Sequence, residues 1–209
     1  MKSRHVEISS ELIAYGMCPS DLSGKKVLVI GCWSGGDLLI FSGLGARVVA
    51  MEEHTKSAAS AKFLCSLVGC DAEIFNQSVF LDDKSLAGTF DLIYCAGVVY
   101  HVTDPVLLFR IAFAYLKPGG QLIIETKASQ SDDSSCLYSG SLEKGWNWFS
   151  PTAEALARWF ADSGFSAATT TIRMREIGRL LGVSTKLTAA PLPELAGFSR
   201  PGSWLEGVL

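Results

Sequence analysis

Along the chain, short β-branched apolar runs alternate with segments whose apolar residues recur at helical spacing. Residues 26–31 (KVLVIG) form such a run closed by glycine, and residues 37–44 follow with apolar positions that suit a helix. Residues 46–51 (ARVVAM) predict a second strand, and residues 55–68 a helix with Ala, Phe and Leu on one face. Residues 72–75 predict a short third strand and residues 90–95 (FDLIYC) a strong fourth. Asp104 followed by Pro105 predicts a helix N-cap and first turn, and the apolar run through Leu116 stops at Lys117-Pro118-Gly119-Gly120. Residues 121–126 (QLIIET) predict a fifth strand. Ser150-Pro151 predicts the opening of another helix, striped by Leu156, Trp159 and Phe160 and ended by Gly164. Two β-rich runs, 167–174 and 179–186, are separated only by a few residues around Gly178. A parallel crossover needs about a dozen residues, so these two must pair as an antiparallel hairpin.

This order predicts an α/β fold, a doubly wound and mostly parallel sheet of about seven strands, buried on both faces and ending in the antiparallel β-hairpin. A length of 209 residues fits one domain. We divide it into an N-terminal cap segment (1–22), a core (23–186) and a C-terminal tail (187–209). Hydrophobic residues at 48%, charged residues at 19% and a mean hydropathy of +0.28 exclude a disordered chain. No apolar run reaches the roughly 18–20 residues of a membrane span, and no export signal is legible. Six cysteines lie without CxxC spacing and three histidines without ligand spacing, the pattern of reduced thiols in a cytoplasmic protein with no structural metal. Lys and Arg total 18 against 21 Asp and Glu. The net charge of -3 provides no global field to hold a polyanion, which sets nucleic acid aside as a partner unless a local patch binds it.

Ligands of such sheets sit beyond the carboxyl ends of the strands, here just after Ile30, Met51, Phe75, Cys95 and Thr126. The first strand runs into Gly31-Cys32-Trp33-Ser34-Gly35-Gly36, and the acidic pair Glu52-Glu53 ends the second strand about 20 residues later, the spacing that holds a ribose. The plainer alternative is a strand-to-helix turn with a solvated acidic pair. Trp33 stands where a dinucleotide site needs glycine for the pyrophosphate, which disfavours NAD and FAD, and no Gly-Lys-Ser/Thr follows to make a P-loop. A phosphate-free adenosine cofactor, S-adenosylmethionine, suits the bulkier loop.

The segments VLVIGCWSGGDLL, VVAMEE, FDLIYCAGVVYHVTDP, LKPGGQLIIET and NWFSPTAEALARWFADSGF resemble the successive motifs of class I S-adenosylmethionine-dependent methyltransferases over residues 22–186. The Gly-Cys-Trp loop, the Gly-Val-Val-Tyr-His-Val-Thr-Asp-Pro segment and the Trp-Phe-Ser-Pro helix start are most similar to a subgroup related to the tRNA wobble-uridine carboxymethyl transferases. The resemblance implies S-adenosylmethionine as cofactor, its methionine end cradled by the backbone of Gly31, Cys32, Trp33 and Gly35 and its ribose held by Glu52 beside Glu53. It further implies that Ser78 and Val79 border the adenine and that Cys95, Ala96 and Gly97 pass beneath the sulfonium. Val29, Trp33 and Ser78 depart from the family pattern, so weakened cofactor binding is expected.

Methyl transfer chiefly requires that a nucleophile be aligned with the methyl group. For a hydroxyl acceptor His101, just beyond a strand end, is the candidate base; the alternative is that Tyr100 and His101 pack against and cap the next helix. Trp146, Trp148 and Phe149 lie in one loop and, with Tyr100, are candidates for a substrate wall, or else pack against Trp159 and Phe160. Residues 129–141 are expected to form a polar lid, and Lys127 is expected to be solvated. His54 and Cys32 are assigned no catalytic part. The tail, with Pro191, Pro193, Pro201, Phe198 and Trp204, is expected to close the site or to join two subunits in a homodimer. The leading expectation is therefore methyl transfer to a small-molecule acceptor, with oxygen the first candidate atom. A tRNA-modifying methyltransferase and a non-catalytic S-adenosylmethionine-binding protein are the alternatives.

Overall fold

The alternation of buried side chains along the strands sets the architecture. In the computed structural model, which describes residues 4–81, 83–140 and 146–187, the chain runs α1 (Arg4–Ala14), β1 (Lys26–Ile30), α2 (Gly36–Gly43), β2 (Arg47–Met51), α3 (Thr55–Val68), β3 (Ala72–Phe75) and β4 (Phe90–Ala96). It continues through α4 (Pro105–Tyr115), β5 (Leu116–Lys127), β6 (Cys136–Tyr138), β7 (Phe149–Pro151), α5 (Ala153–Asp162), β8 (Thr171–Glu176) and β9 (Arg179–Thr185). Seven strands form one sheet in the order β3-β2-β1-β4-β5-β9-β8. Every pairing from β3 to β5 is parallel, and β9 enters antiparallel to both β5 and β8.

Successive residues of a strand point to opposite faces. Accordingly Val27 and Val29 join an apolar cluster with Leu12 of α1, Phe41 of α2 and Ala61 of α3, whereas Leu28 and Ile30 join a second cluster with Phe109 of α4 and Phe160 of α5. Each face is thereby covered by helices, as a β-branched strand with no polar side requires. The predicted doubly wound sheet with a terminal hairpin is the observed one. Among the described residues no helix is long and apolar enough to cross a membrane.

Three local expectations change. β5 begins at Leu116 instead of residue 121, because the Gly119 N–H donates to the Lys186 carbonyl and the Lys186 N–H to that of Gly120, which extends the pairing through a segment that reads as a turn. Helix α5 opens at Ala153, where Thr152 Oγ1 accepts from the Ala155 N–H at 3.1 Å. Ser150-Pro151 belongs instead to β7, which pairs in a small antiparallel sheet with β6, a strand within the 129–141 segment expected to be a lid. β8 begins at Thr171, after a short 3-10 turn over Ala167–Thr169. The calls on the tail beyond residue 187 lie outside the described residues.

At the end of the sheet remote from the strand carboxyl ends, Asp91 Oδ2 accepts from the Lys26 N–H at 2.9 Å and from Lys117 Nζ at 2.8 Å, tying β4 to β1 and β5. Burial opposes its charge, but these bonds and the nearby Lys25 outweigh it and hold the carboxyl below its ordinary pKa. A depressed folded-state pKa stabilises above the unfolded value, and that contribution is lost as pH falls through the folded value. The thermal midpoint of Asp91→Asn is therefore expected to lie below that of the unsubstituted protein at neutral pH. The two should converge under acid; a constant gap down to pH values below the carboxylate range would contradict the assignment.

Candidate active site

The carboxyl ends of β1, β2, β4 and β5 open on a cavity of about 850 Å³, within the range of roughly 300–1,000 Å³ of small-molecule sites. Its first wall is the loop after β1. Gly31 has φ 71°, and a Cβ there would lie 2.3 Å from Val98 Cγ2, so only glycine lets this loop meet the one after β4. Gly35, at φ 91°, precedes α2, and its missing side chain allows close approach to Ala61 of α3. Between them Trp33 lines the cavity with an exposed indole, while its backbone N–H donates to Glu52 Oε2 at 2.8 Å.

Glu52 is buried, and its Oε1 also accepts from the His54 N–H at 2.9 Å. Asn76 steadies this strand end, donating through Nδ2 to the carbonyls of Glu52 and Glu53. Each carboxylate oxygen of Glu52 keeps a further lone pair for a hydroxyl. Glu53, Ser78, Val79, Ala96 and Gly97 also line the cavity. Cys32 and Cys95 are buried and do not. Burial, with Glu52 and Asp37 adding to it, pushes the Cys32 thiol up to about 12, and burial likewise raises that of Cys95, so both are inert neutral groups that can meet a ligand through backbone alone.

The opposite loops carry the remaining candidates. A 3-10 turn over Val99–His101 places Tyr100 and His101 at the cavity, their ring centroids 4.2 Å apart. His101 Nδ1 lies 3.0 Å from the Trp146 carbonyl oxygen. A carbonyl only accepts, so Nδ1 donates, and Nε2 is the ring nitrogen that this bond does not engage. Of the loop aromatics Trp146 lines the cavity. Trp148 does not: its N–H donates to the Tyr100 carbonyl at 2.7 Å. Phe149 instead faces the Tyr138 ring, with centroids 5.5 Å apart.

Sequence reasoning passed over Asp37 and Glu125, two carboxylates in the lining. Asp37 lies in the first turn of α2, and Glu125 lies two residues before the end of β5, a strand whose carboxyl end marks the ligand side; these positions were the available signals. Glu125 is fully buried and receives a bidentate hydrogen-bond pair from Arg179, whose Nε lies 2.6 Å from Oε1. Burial alone would lower the Arg179 pKa, but Glu125 outweighs it and holds the guanidinium above its ordinary value. Lys127 is half-buried, its Nζ donating to Asn147 Oδ1 at 2.9 Å and standing 5.0 Å from the Tyr100 ring centroid, which corrects the expectation of a solvated side chain. Asp37, Glu52 and Glu53 line the cavity with no Lys or Arg among the described lining residues, and the charge of Glu125 is met by Arg179, so the lining suits a cationic ligand. No group of three or more His, Cys, Asp or Glu among the described residues could hold a metal ion.

The family model described as "Methyltransferase domain" matches residues 4–170. The chain belongs to this methyltransferase family. It is a class I S-adenosylmethionine-dependent member, related to the tRNA U34 carboxymethyltransferase subgroup. The methyltransferase is 29% identical over 153 residues to the "tRNA U34 carboxymethyltransferase" of Alteromonas mediterranea, matching 70% of this chain and 46% of that protein. It is 33% identical over 144 residues to the protein of that name from Campylobacter hominis, matching 66% of this chain and 50% of the relative. It thus spans about half the length of these relatives. Its fold matches the Burkholderia thailandensis 1,6-didemethyltoxoflavin-N1-methyltransferase, solved with its substrate and S-adenosylhomocysteine, at TM-score 0.67 and 18% identity over 88% of this chain and 78% of that one.

The methyltransferase's own residues fit this cofactor. Glu52 has acceptors to spare for ribose hydroxyls, Gly97 leaves the passage after β4 free of a side chain, and the acidic lining favours a sulfonium. The close meeting of Gly31 and Val98 yields a test. Gly31→Ala should lower the urea midpoint, since it combines a positive φ with overpacking worth about 1–3 kcal/mol. Adding Val98→Ala removes the clashing Cγ2 and should recover part of the loss; no recovery would mean that φ alone makes the glycine necessary.

Proposed function

We propose that this chain transfers a methyl group from S-adenosylmethionine to a hydroxyl carried by a nucleobase of tRNA. The observation that carries the reading is the similarity of about 30% over some 70% of the chain to enzymes named for a tRNA uridine, joined to a cavity that His101 lines. The transferred group proposed here is methyl, where the relatives are named for carboxymethyl.

The sulfonium supplies the activated methyl group, so the protein's work is alignment and proton management. Glu52 would hold the ribose hydroxyls, Ser78 and Val79 would border the adenine, and Asp37 would offer the amino-acid end a carboxylate. On the acceptor side Nε2 of His101 takes the hydroxyl proton as the oxygen attacks, while the Trp146 carbonyl holds the ring in that tautomer. When bound, the cofactor would supply its methyl group to that oxygen by loss of the carbon–sulfur bond and would leave as a neutral thioether. The buried Arg179–Glu125 pair fixes the floor beneath Tyr100, with the guanidinium 5.2 Å from its ring centroid.

A second reading, a small-molecule acceptor, is favoured by the net charge of -3 and by the acidic lining, which repels phosphates. The two separate in one experiment. Calorimetry should show S-adenosylhomocysteine binding, and total tRNA incubated with the protein and methyl-labelled cofactor at low salt should yield a labelled nucleoside identified by mass spectrometry as methylated. Label that appears only with small heterocyclic hydroxyl compounds would move the assignment to the second reading, and absence of cofactor binding would end both. His101→Ala should reduce kcat by about 10²–10⁴-fold with cofactor affinity nearly kept. Equal loss of cofactor binding would make His101 structural.

A further inference from the structure

Among the described residues only two non-glycine positions hold a positive φ, and both are tryptophans: Trp33 at 46° and Trp146 at 57°. This region is disfavoured for bulky side chains, and residues held there gather at ligand clamps and switches. Burial does not compensate, since the two side chains remain 68% and 59% exposed. Both nevertheless line the same cavity, one from the loop after β1 and one from the loop before β7. Each backbone is held in its unusual conformation by a group of the site: Trp33 N–H by Glu52, and the Trp146 carbonyl by His101. The two indoles are therefore presented to the cavity at a conformational cost, on backbone that the cofactor-side carboxylate and the candidate base keep in place.

We propose that Trp33 and Trp146 form the two faces of a clamp that stacks a flat heteroaromatic ring of the methyl acceptor. The inference rests on the methyltransferase reading and names the acceptor class, a planar heterocycle. An exposed indole is a large, rigid apolar surface, and every nucleobase or fused heterocycle has a π-face to lay on it. Trp33 thus serves the acceptor with its side chain while its backbone serves the cofactor loop. The occupant's source, a base within RNA or a free heterocycle, is left to the arms of the test.

Glycine is at ease at positive φ, so Trp33→Gly and Trp146→Gly should fold with thermal midpoints no lower than the parent protein. With S-adenosylhomocysteine present, quenching of tryptophan fluorescence is titrated with uridine, with a short uridine-bearing RNA hairpin and with sorbitol as an aliphatic control. Each single substitution should weaken binding of the flat probes about tenfold, the size of one lost stacking face. The double variant should lose less than the product of the singles, because a clamp needs both faces. A response to both flat probes assigns the ring in general, and a response to the hairpin alone assigns a base within RNA. Unchanged affinity in both variants, or equal quenching by sorbitol, overturns the clamp. S-adenosylhomocysteine affinity, measured by calorimetry on the parent protein, stands apart: its absence would overturn the methyltransferase reading and not the stacking.

Discussion

The site depends most on one buried carboxylate. Glu52, at the end of β2, accepts from the backbone of Trp33 in one loop and of His54 in another, so a single side chain determines where the first wall of the cavity stands. Two backbone N–H donors satisfy a charge that burial would otherwise penalise, which is why an acid is stable there. The arrangement also leaves oxygen lone pairs directed at the cavity. A residue that closes the structure and a residue that holds a ribose can thus be the same residue, because a carboxylate has more acceptor sites than the fold consumes.

A second buried charge organises the other half. Glu125 and Arg179 are 54 positions apart, on β5 and β9, and they meet where the antiparallel strand joins the parallel sheet. Paired in bidentate geometry, they place charge beneath Tyr100 without leaving either partner unsatisfied. Tyr100 in turn accepts the Trp148 N–H on its carbonyl, and His101 Nδ1 donates to the Trp146 carbonyl, so the loop of these tryptophans is anchored to the turn that bears the candidate base. The small β6–β7 sheet continues this anchoring.

Much of the fold was legible in the chain. Helix α3 and strand β3 match their predicted spans because β-branched runs, a helical stripe and the αL glycine at Gly69 act within a few residues. β5 was misplaced at its start because its partner there, Lys186, is distant in the chain, whereas α5 was misplaced although its cap, Thr152, is a local signal that the Ser150-Pro151 reading passed over. In the site, the glycine loop and the acid at the end of β2 could be read from spacing, whereas the division of the loop aromatics could not. Trp146, Trp148 and Phe149 look equivalent in sequence; hydrogen bonds to the turn before α4 and the Tyr138 ring separate the one that lines the cavity from the two that do not.

The sequence by itself determined the element types, the alternation that buries both faces of the sheet, the place of the ligand beyond the strand ends and the family. The family is carried by the resemblance of successive motifs; the other properties follow from local propensity and periodicity, which neighbouring residues carry. Tertiary structure decided the insertion of β9 between β5 and β8, the Glu125–Arg179 pair, the tautomer of His101 and the exposure of two strained tryptophans. Each of these depends on groups from distant parts of the chain meeting at hydrogen-bonding or packing distance. Such a meeting exists only after the loops between them have closed.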